Sequence, residues 1–160
     1  MPWLLGSGQG ENMMTLSTTT SYAIQALTCL ASPDYSRAMI ARVAKEAGVP
    51  APYLAKIMKR LNDAGIVISK RGFKGGIWLS RPPEAITLLE IMTAVDGPEY
   101  LNGCLLGNAC CSDERACPTH EFWGATRERI RKELGAHTLA DVLVFNARRK
   151  RSAAAKARRA

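Results

Sequence analysis

Cys104, Cys110, Cys111 and Cys117 lie within 14 residues of one another, and His120 follows the last by three. Thiolates and imidazoles bind metals and do redox chemistry. The spacing Cys104-x6-Cys111-x5-Cys117-x2-His120, with Cys110 as a spare, differs from the short paired spacing of a structural zinc site. Wider gaps in a Gly-, Asn- and Asp-rich stretch suit a thiolate-ligated iron–sulfur cluster, whose ligands spread around a larger object. A thiol switch, a zinc site and a loop of unliganded thiols are the alternatives. His120 sits on the first turn of the helix that follows, where an imidazole ligand tunes potential and makes binding pH-dependent. Cys29, the fifth cysteine, lies among small and apolar residues and reads as core packing.

A second group of residues is basic. The 160-residue chain carries 22 Lys and Arg against 14 Asp and Glu, a net charge of +8, which favours a polyanionic partner. The charge is segregated. Residues 37–81 hold ten bases and two acids, residues 82–145 five bases and ten acids, and residues 146–160 seven bases and no acid. Within the first basic block, Tyr53, Ala55, Lys56, Lys59 and Arg60 share the outward side of an expected helix. Lys70, Arg71, Lys74 and Gly75 surround a glycine-rich turn. Lys56 can reach a base edge or a phosphate, and Lys59 and Arg60 suit phosphates. An Arg at a hairpin tip suits minor-groove insertion, and the glycines let backbone approach DNA.

Periodicity supplies the elements that hold these groups. Helices are expected over about 16–31, 37–47 and from Pro50 to Gly65, the third turning Leu54, Ile57, Met58 and Leu61 inward. Ala44-x-x-x-Gly48 marks the tight turn between the second and third. Ile66–Ser69 and Ile77–Leu79 read as strands around the turn. A fourth helix opens with the capping box Thr87-x-x-Glu90. After residues 99–116, a helix from about Pro118 to Leu134 presents Phe122, Thr126, Ile130 and Leu134. A short last helix opens at Thr138.

The expected fold is therefore mainly α: a winged helix-turn-helix with a two-stranded β wing and a long C-terminal dimerisation helix. Its parts are a disordered extension (1–13), the DNA-binding domain (14–97), the cysteine-rich loop (98–117), the dimerisation helix with a short C-terminal helix (118–146), and a basic tail (147–160) that is disordered or a frayed continuation of that helix. No apolar run approaches the 18 residues of a membrane span, and the start lacks the marks of a signal peptide. These features, with cysteines suited to a reducing compartment, imply a cytoplasmic protein without a membrane or small-molecule partner. No nucleophile–base or carboxylate pair stands out, so an enzyme is not expected.

An ordered set of motifs carries a resemblance. They are Leu16-Ser-Thr-x-x-x-Tyr22-Ala23, Ile40-Ala41-x-x-Ala44, Tyr53-Leu54 with Leu61-x-x-Ala64-Gly65, Ser69-x-Arg71-Gly72-x-x-Gly75-Gly76, and Ile86-Thr87-x-x-Glu90-Ile91-x-x-Ala94-Val95-Asp96-Gly97. The three cysteines with His120, Trp123 and Thr138-Leu139 follow. Over residues 14–146 the chain resembles the Rrf2 family of bacterial winged-helix regulators, which includes IscR-, NsrR- and RirA-type members. The resemblance implies a homodimer formed through the long helix and bound to a two-fold related double-stranded DNA operator, most often as a repressor. It places the recognition helices in major grooves and Arg71 in a minor groove. It also implies an iron–sulfur cluster on Cys104, Cys111, Cys117 and His120, with Cys110 as the alternative middle ligand, sensing iron, redox state or nitric oxide. His120 matches the ligand of IscR-like members and so favours 2Fe–2S over 4Fe–4S. Ser21 stands where some nitric-oxide-sensing members have an acidic ligand, and Ala55 where IscR has an acidic base-reading residue. The alternative is a cluster-free thiol- or zinc-responsive regulator, or an adaptor working by protein contact.

Overall fold

The computed structural model describes residues 16–35, 37–72, 75–106, 114 and 116–157. The extension expected over 1–13 lies outside them. In chain order the elements are α1 (Thr18–Leu30), α2 (Ile40–Ala47), α3 (Ala51–Asp63), β1 (Val67–Lys70), β2 (Gly76–Leu79), α4 (Leu88–Asp96), α5 (His120–Ala136) and α6 (Leu139–Ala157). β1 and β2 form an antiparallel hairpin with Val67 opposite Leu79 and Lys70 opposite Gly76.

The apolar stripes expected of the first four helices meet in one core. Ala23, Ala26, Leu27 and Leu30 of α1 pack with Val43 and Ala44 of α2, the four inward residues of α3, Ile91 and Val95 of α4, and Ile77 of the wing. Leu139, at the start of α6, is buried in the same core. Burying each Val, Leu, Ile or Met side chain among them contributes about 1.5–3 kcal/mol, and each Ala less. α5 leans on α4 from outside and has no buried residue among its seventeen.

Local chemistry fixes the element ends. Ser17 caps α1 by accepting from the Thr20 amide at 2.9 Å, and its hydroxyl donates to Asp96 at the far end of α4 at 2.5 Å. The box expected at α4 is complete: the Glu90 amide donates to the Thr87 hydroxyl at 3.2 Å and the Thr87 amide to Glu90 Oε2 at 2.9 Å. Thr138 and Asp141 repeat it at α6. Thr87→Ala is expected to cost about 1 kcal/mol, seen as a melting temperature lower by roughly 2–4 °C. The Glu90 half of the box depends on pH. The Thr87 amide first, then Arg81, holds the Glu90 carboxyl below its ordinary value. A depressed pKa adds stability that is complete above the ordinary value near 4.5 and is lost as pH falls through the lower folded value. Glu90→Gln should remove that part of the acid dependence in a denaturation series.

Two segments differ from the sequence expectation. The second helix starts at Ile40, because Ala38 instead bridges to Ile77 of the wing, its amide donating at 3.1 Å and its carbonyl accepting at 2.9 Å. Ala38 is buried against the hairpin, and that burial outweighs three residues of local helical pattern. The basic tail is the second. Of the two readings, disorder or a continuation of a short last helix, the second describes it, except that the helix is long: α6 runs on to Ala157 with every residue from 147 exposed. Ala, Arg and Lys are strong helix formers and need no packing to continue a helix already nucleated.

Candidate nucleic-acid interface and cysteine loop

The entry to α3 is set by Gly48, which ends α2 in the left-handed conformation at φ 67°. The Val49 amide then donates to the Ala44 carbonyl at 2.9 Å and Val49 is buried. Pro50 and Pro52 start the next helix without wasting a donor. α3 thus stands across α2 with Tyr53, Lys56, Lys59 and Arg60 exposed and Ala55 half-buried.

These side chains do not share one role. Lys56 is exposed and projects from the middle of the helix. Lys59 pairs with Asp63 at 2.6 Å in the open, a contact too weakly held to withdraw it from a phosphate. Tyr53 is tied back: its hydroxyl meets Thr19 Oγ1 at 2.7 Å and its ring stands edge-on to Tyr22, centroids 5.9 Å apart. Arg60, expected on a phosphate, donates one N–H to the Val95 carbonyl. The last turn of α4 leaves carbonyls without helical partners, and Arg60 caps one. It ties α3 to α4 while the side chain stays exposed.

The wing presents Lys70 and Arg71, both exposed, at its tip. Lys74 lies outside the described residues. Gly72 takes a positive φ of 91°, and the Gly75 amide donates to the Gly72 carbonyl at 2.8 Å. A Cβ on Gly75 would collide with the Lys70 carbonyl and stand 2.8 Å from that of Gly72. Gly75, expected to allow approach to DNA, is required by the turn itself. Arg37 joins this surface unforeseen, its guanidinium 5.0 Å from the Trp78 ring centre. A Trp on a short basic hairpin is the one sequence signal that points to such a partner.

The cysteine loop is held at both ends. Cys117 and His120 occupy one turn: the His120 amide donates to the Cys117 carbonyl at 2.9 Å, and Cys117 Sγ lies 3.3 Å from Thr119 Oγ1. His120 is the first residue of α5. At the other end, the Trp123 indole donates to the Gly103 carbonyl at 2.7 Å, so the residue before Cys104 is pinned to α5. Cys110 and Cys111 lie outside the described residues. Among the described residues no three of His, Cys, Asp and Glu converge as a metal site. The chemistry of Cys104, Cys117 and His120, soft thiolates with one imidazole, fits an iron–sulfur cluster. Cys29 differs: it is half-buried against the core, and burial first, then Glu46, pushes its thiol up. That makes it a poor nucleophile, in keeping with a packing role.

A family model described as an iron-dependent transcriptional regulator, Rrf2, matches residues 16–144. A putative HTH-type transcriptional regulator of Synechocystis is 33% identical over 141 residues, covering 84% of this chain and 90% of its own. Among solved structures, T. potens IscR superposes with a TM-score of 0.63 at 27% identity, over 83% of this chain and 88% of the other. CymR, the global cysteine regulator of B. subtilis, superposes with a TM-score of 0.66 at 24% identity, over 82% and 98%. That last likeness establishes the winged-helix fold alone.

Proposed function

Since the chain belongs to the Rrf2 family of DNA-binding transcriptional regulators, we propose that it is a homodimeric repressor whose operator binding responds to an iron–sulfur cluster on its cysteine loop. It is a regulator, not an enzyme. The observation that carries the sensing part is the shared helix: α5 begins with the Cys117–His120 turn and grips the backbone next to Cys104. The same helix keeps Phe122 65% exposed and buries none of its residues. Phe122, exposed on a helix with no buried residue, suits contact with a second copy of the chain. Through such a dimer two copies of α3 face successive major grooves, with Lys56 at base edges, Lys59 on phosphate and Arg71 of each wing in a flanking minor groove. A shift of α5 changes the spacing of the two reading heads against fixed half-sites.

Cys104, Cys111, Cys117 and His120 would hold the cluster, with Cys110 the alternative to Cys111 and 2Fe–2S favoured by the histidine. A cluster bound there supplies one-electron redox chemistry and reactivity toward nitric oxide. The chain's own contribution is to fix two ligands on one helical turn and to present the rest from a loop. A cluster-free thiol switch is the second reading, since closely spaced thiols can also pair with one another.

Anaerobically purified protein is expected to be coloured and to contain iron and sulfide, and Cys117→Ser to lose both while remaining helical and dimeric. Colourless protein that also resists reconstitution overturns the cluster reading. If its DNA affinity then responds reversibly to diamide and dithiothreitol, the thiol switch takes its place.

A further inference from the structure

Trp123, Arg127 and Arg131 are spaced four apart, so they form one stripe along α5. All three donate to the two residues that precede Cys104. The Trp123 indole reaches the Gly103 carbonyl at 2.7 Å, Arg127 Nη1 the Asn102 carbonyl at 3.2 Å, and Arg131 Nη2 the Asn102 side-chain oxygen. The Asn102 amide donates in turn to Glu99, and Glu128 braces Arg131 from the same helix. Backbone carbonyls at a loop end are usually left to water, and here two consecutive ones are taken by side chains of a single helix face.

We propose that Trp123, Arg127 and Arg131 are positioning residues: a polar ladder that sets Cys104 in register with the Cys117–His120 turn and makes its displacement a displacement of α5. The inference rests on the sensing role of the loop, and it names the part of the chain that transmits it. A further observation points the same way. Arg127 Nε is buried and has no hydrogen-bond partner among the described residues. A buried N–H without an acceptor is costly, so the guanidinium is held in place against that cost by what it does bind, the Asn102 carbonyl. The ladder thus holds the segment through the Asn102 and Gly103 backbone carbonyls and the Asn102 side chain.

The test measures cysteine accessibility in the full-length, reduced, metal-free protein, so it does not depend on cluster loading. Iodoacetamide is the probe, and labelling at Cys104, Cys117 and Cys29 is followed separately by peptide mass spectrometry. Trp123→Phe keeps the ring and deletes one donor, and Arg127→Gln deletes the guanidinium. Each deleted hydrogen bond should raise the Cys104 rate roughly five-fold, with Cys117 and Cys29 at wild-type rates. Arg129→Gln, exposed on another side of α5, should change nothing. An unchanged Cys104 rate in both variants overturns the proposal. So does a parallel rise at all three cysteines, which reports a loosened fold. Protein that takes up neither iron nor sulfide defeats the cluster reading and leaves this outcome to be judged alone.

Discussion

Gly75→Ala is expected to lower operator affinity by ten-fold to more than a hundred-fold while leaving the protein folded. The added methyl group would occupy the space of the Lys70 carbonyl and crowd that of Gly72. Both are backbone atoms and cannot swing aside. The turn must open, and with it move Lys70 and Arg71, the two described cations at its tip. The base of the hairpin should survive, because Val67 and Ile77 are buried and Ala38 pairs with Ile77 on the far edge. The affinity falls because specific interactions with DNA go, each worth about 1–3 kcal/mol when well placed. Arg71→Ala removes the side chain without moving the turn, so its effect should be no larger. The measurement is competition binding of an operator selected from random duplexes against its scrambled sequence, at fixed salt. Retention of the full specificity ratio by Gly75→Ala would show that the wing does not read DNA.

Much of this reading head was legible because its determinants are local. Ala44-x-x-x-Gly48 encodes a left-handed turn, Thr87-x-x-Glu90 a capping box, and the α3 stripe a buried face, each within one or two helical turns. Arg60 shows where legibility stops. A helical wheel turns it outward, yet its partner is a carbonyl 35 positions away in the chain. Nothing near residue 60 announces that the end of α4 packs there. Arg37 and Ala38 fail for the same reason: three residues of helical pattern give way to strand pairing with a hairpin far along the chain. At the cysteine loop the ligand types were legible from composition and spacing. The ladder on α5 was not, since Trp123, Arg127 and Arg131 look like ordinary members of a solvated helix until Asn102 and Gly103 fold against them. The net charge was legible in amount and misleading in place. Arg60 also braces the end of α4, and seven of the 22 bases lie beyond residue 145.

Those seven charges carry the other large effect. Truncation after Phe145 should weaken binding to every duplex alike and leave the preference for the operator intact. In α6 the run Arg148-Arg149-Lys150-Arg151 occupies four consecutive helical positions, which point about 100° apart around the axis. A helix that is cationic on all sides has no single face to lay along base edges. It does offer phosphates a dense charge from any approach. Each phosphate neutralised releases counterion and adds about 0.9 to the slope of log affinity against log salt. The truncated protein should therefore show a slope shallower by that amount for every phosphate the tail would have neutralised, doubled in a dimer. The fold should not suffer, because Leu139 keeps α6 anchored in the core and residues 147–157 bury nothing. Titrations of operator and scrambled duplexes across a salt series separate the two terms. Parallel lines displaced downward and flattened are expected of the truncated protein. Convergence of its operator and scrambled affinities would mean that α6 itself reads sequence, and that the polarity between a basic reading head and an acidic sensor half is not what confers specificity.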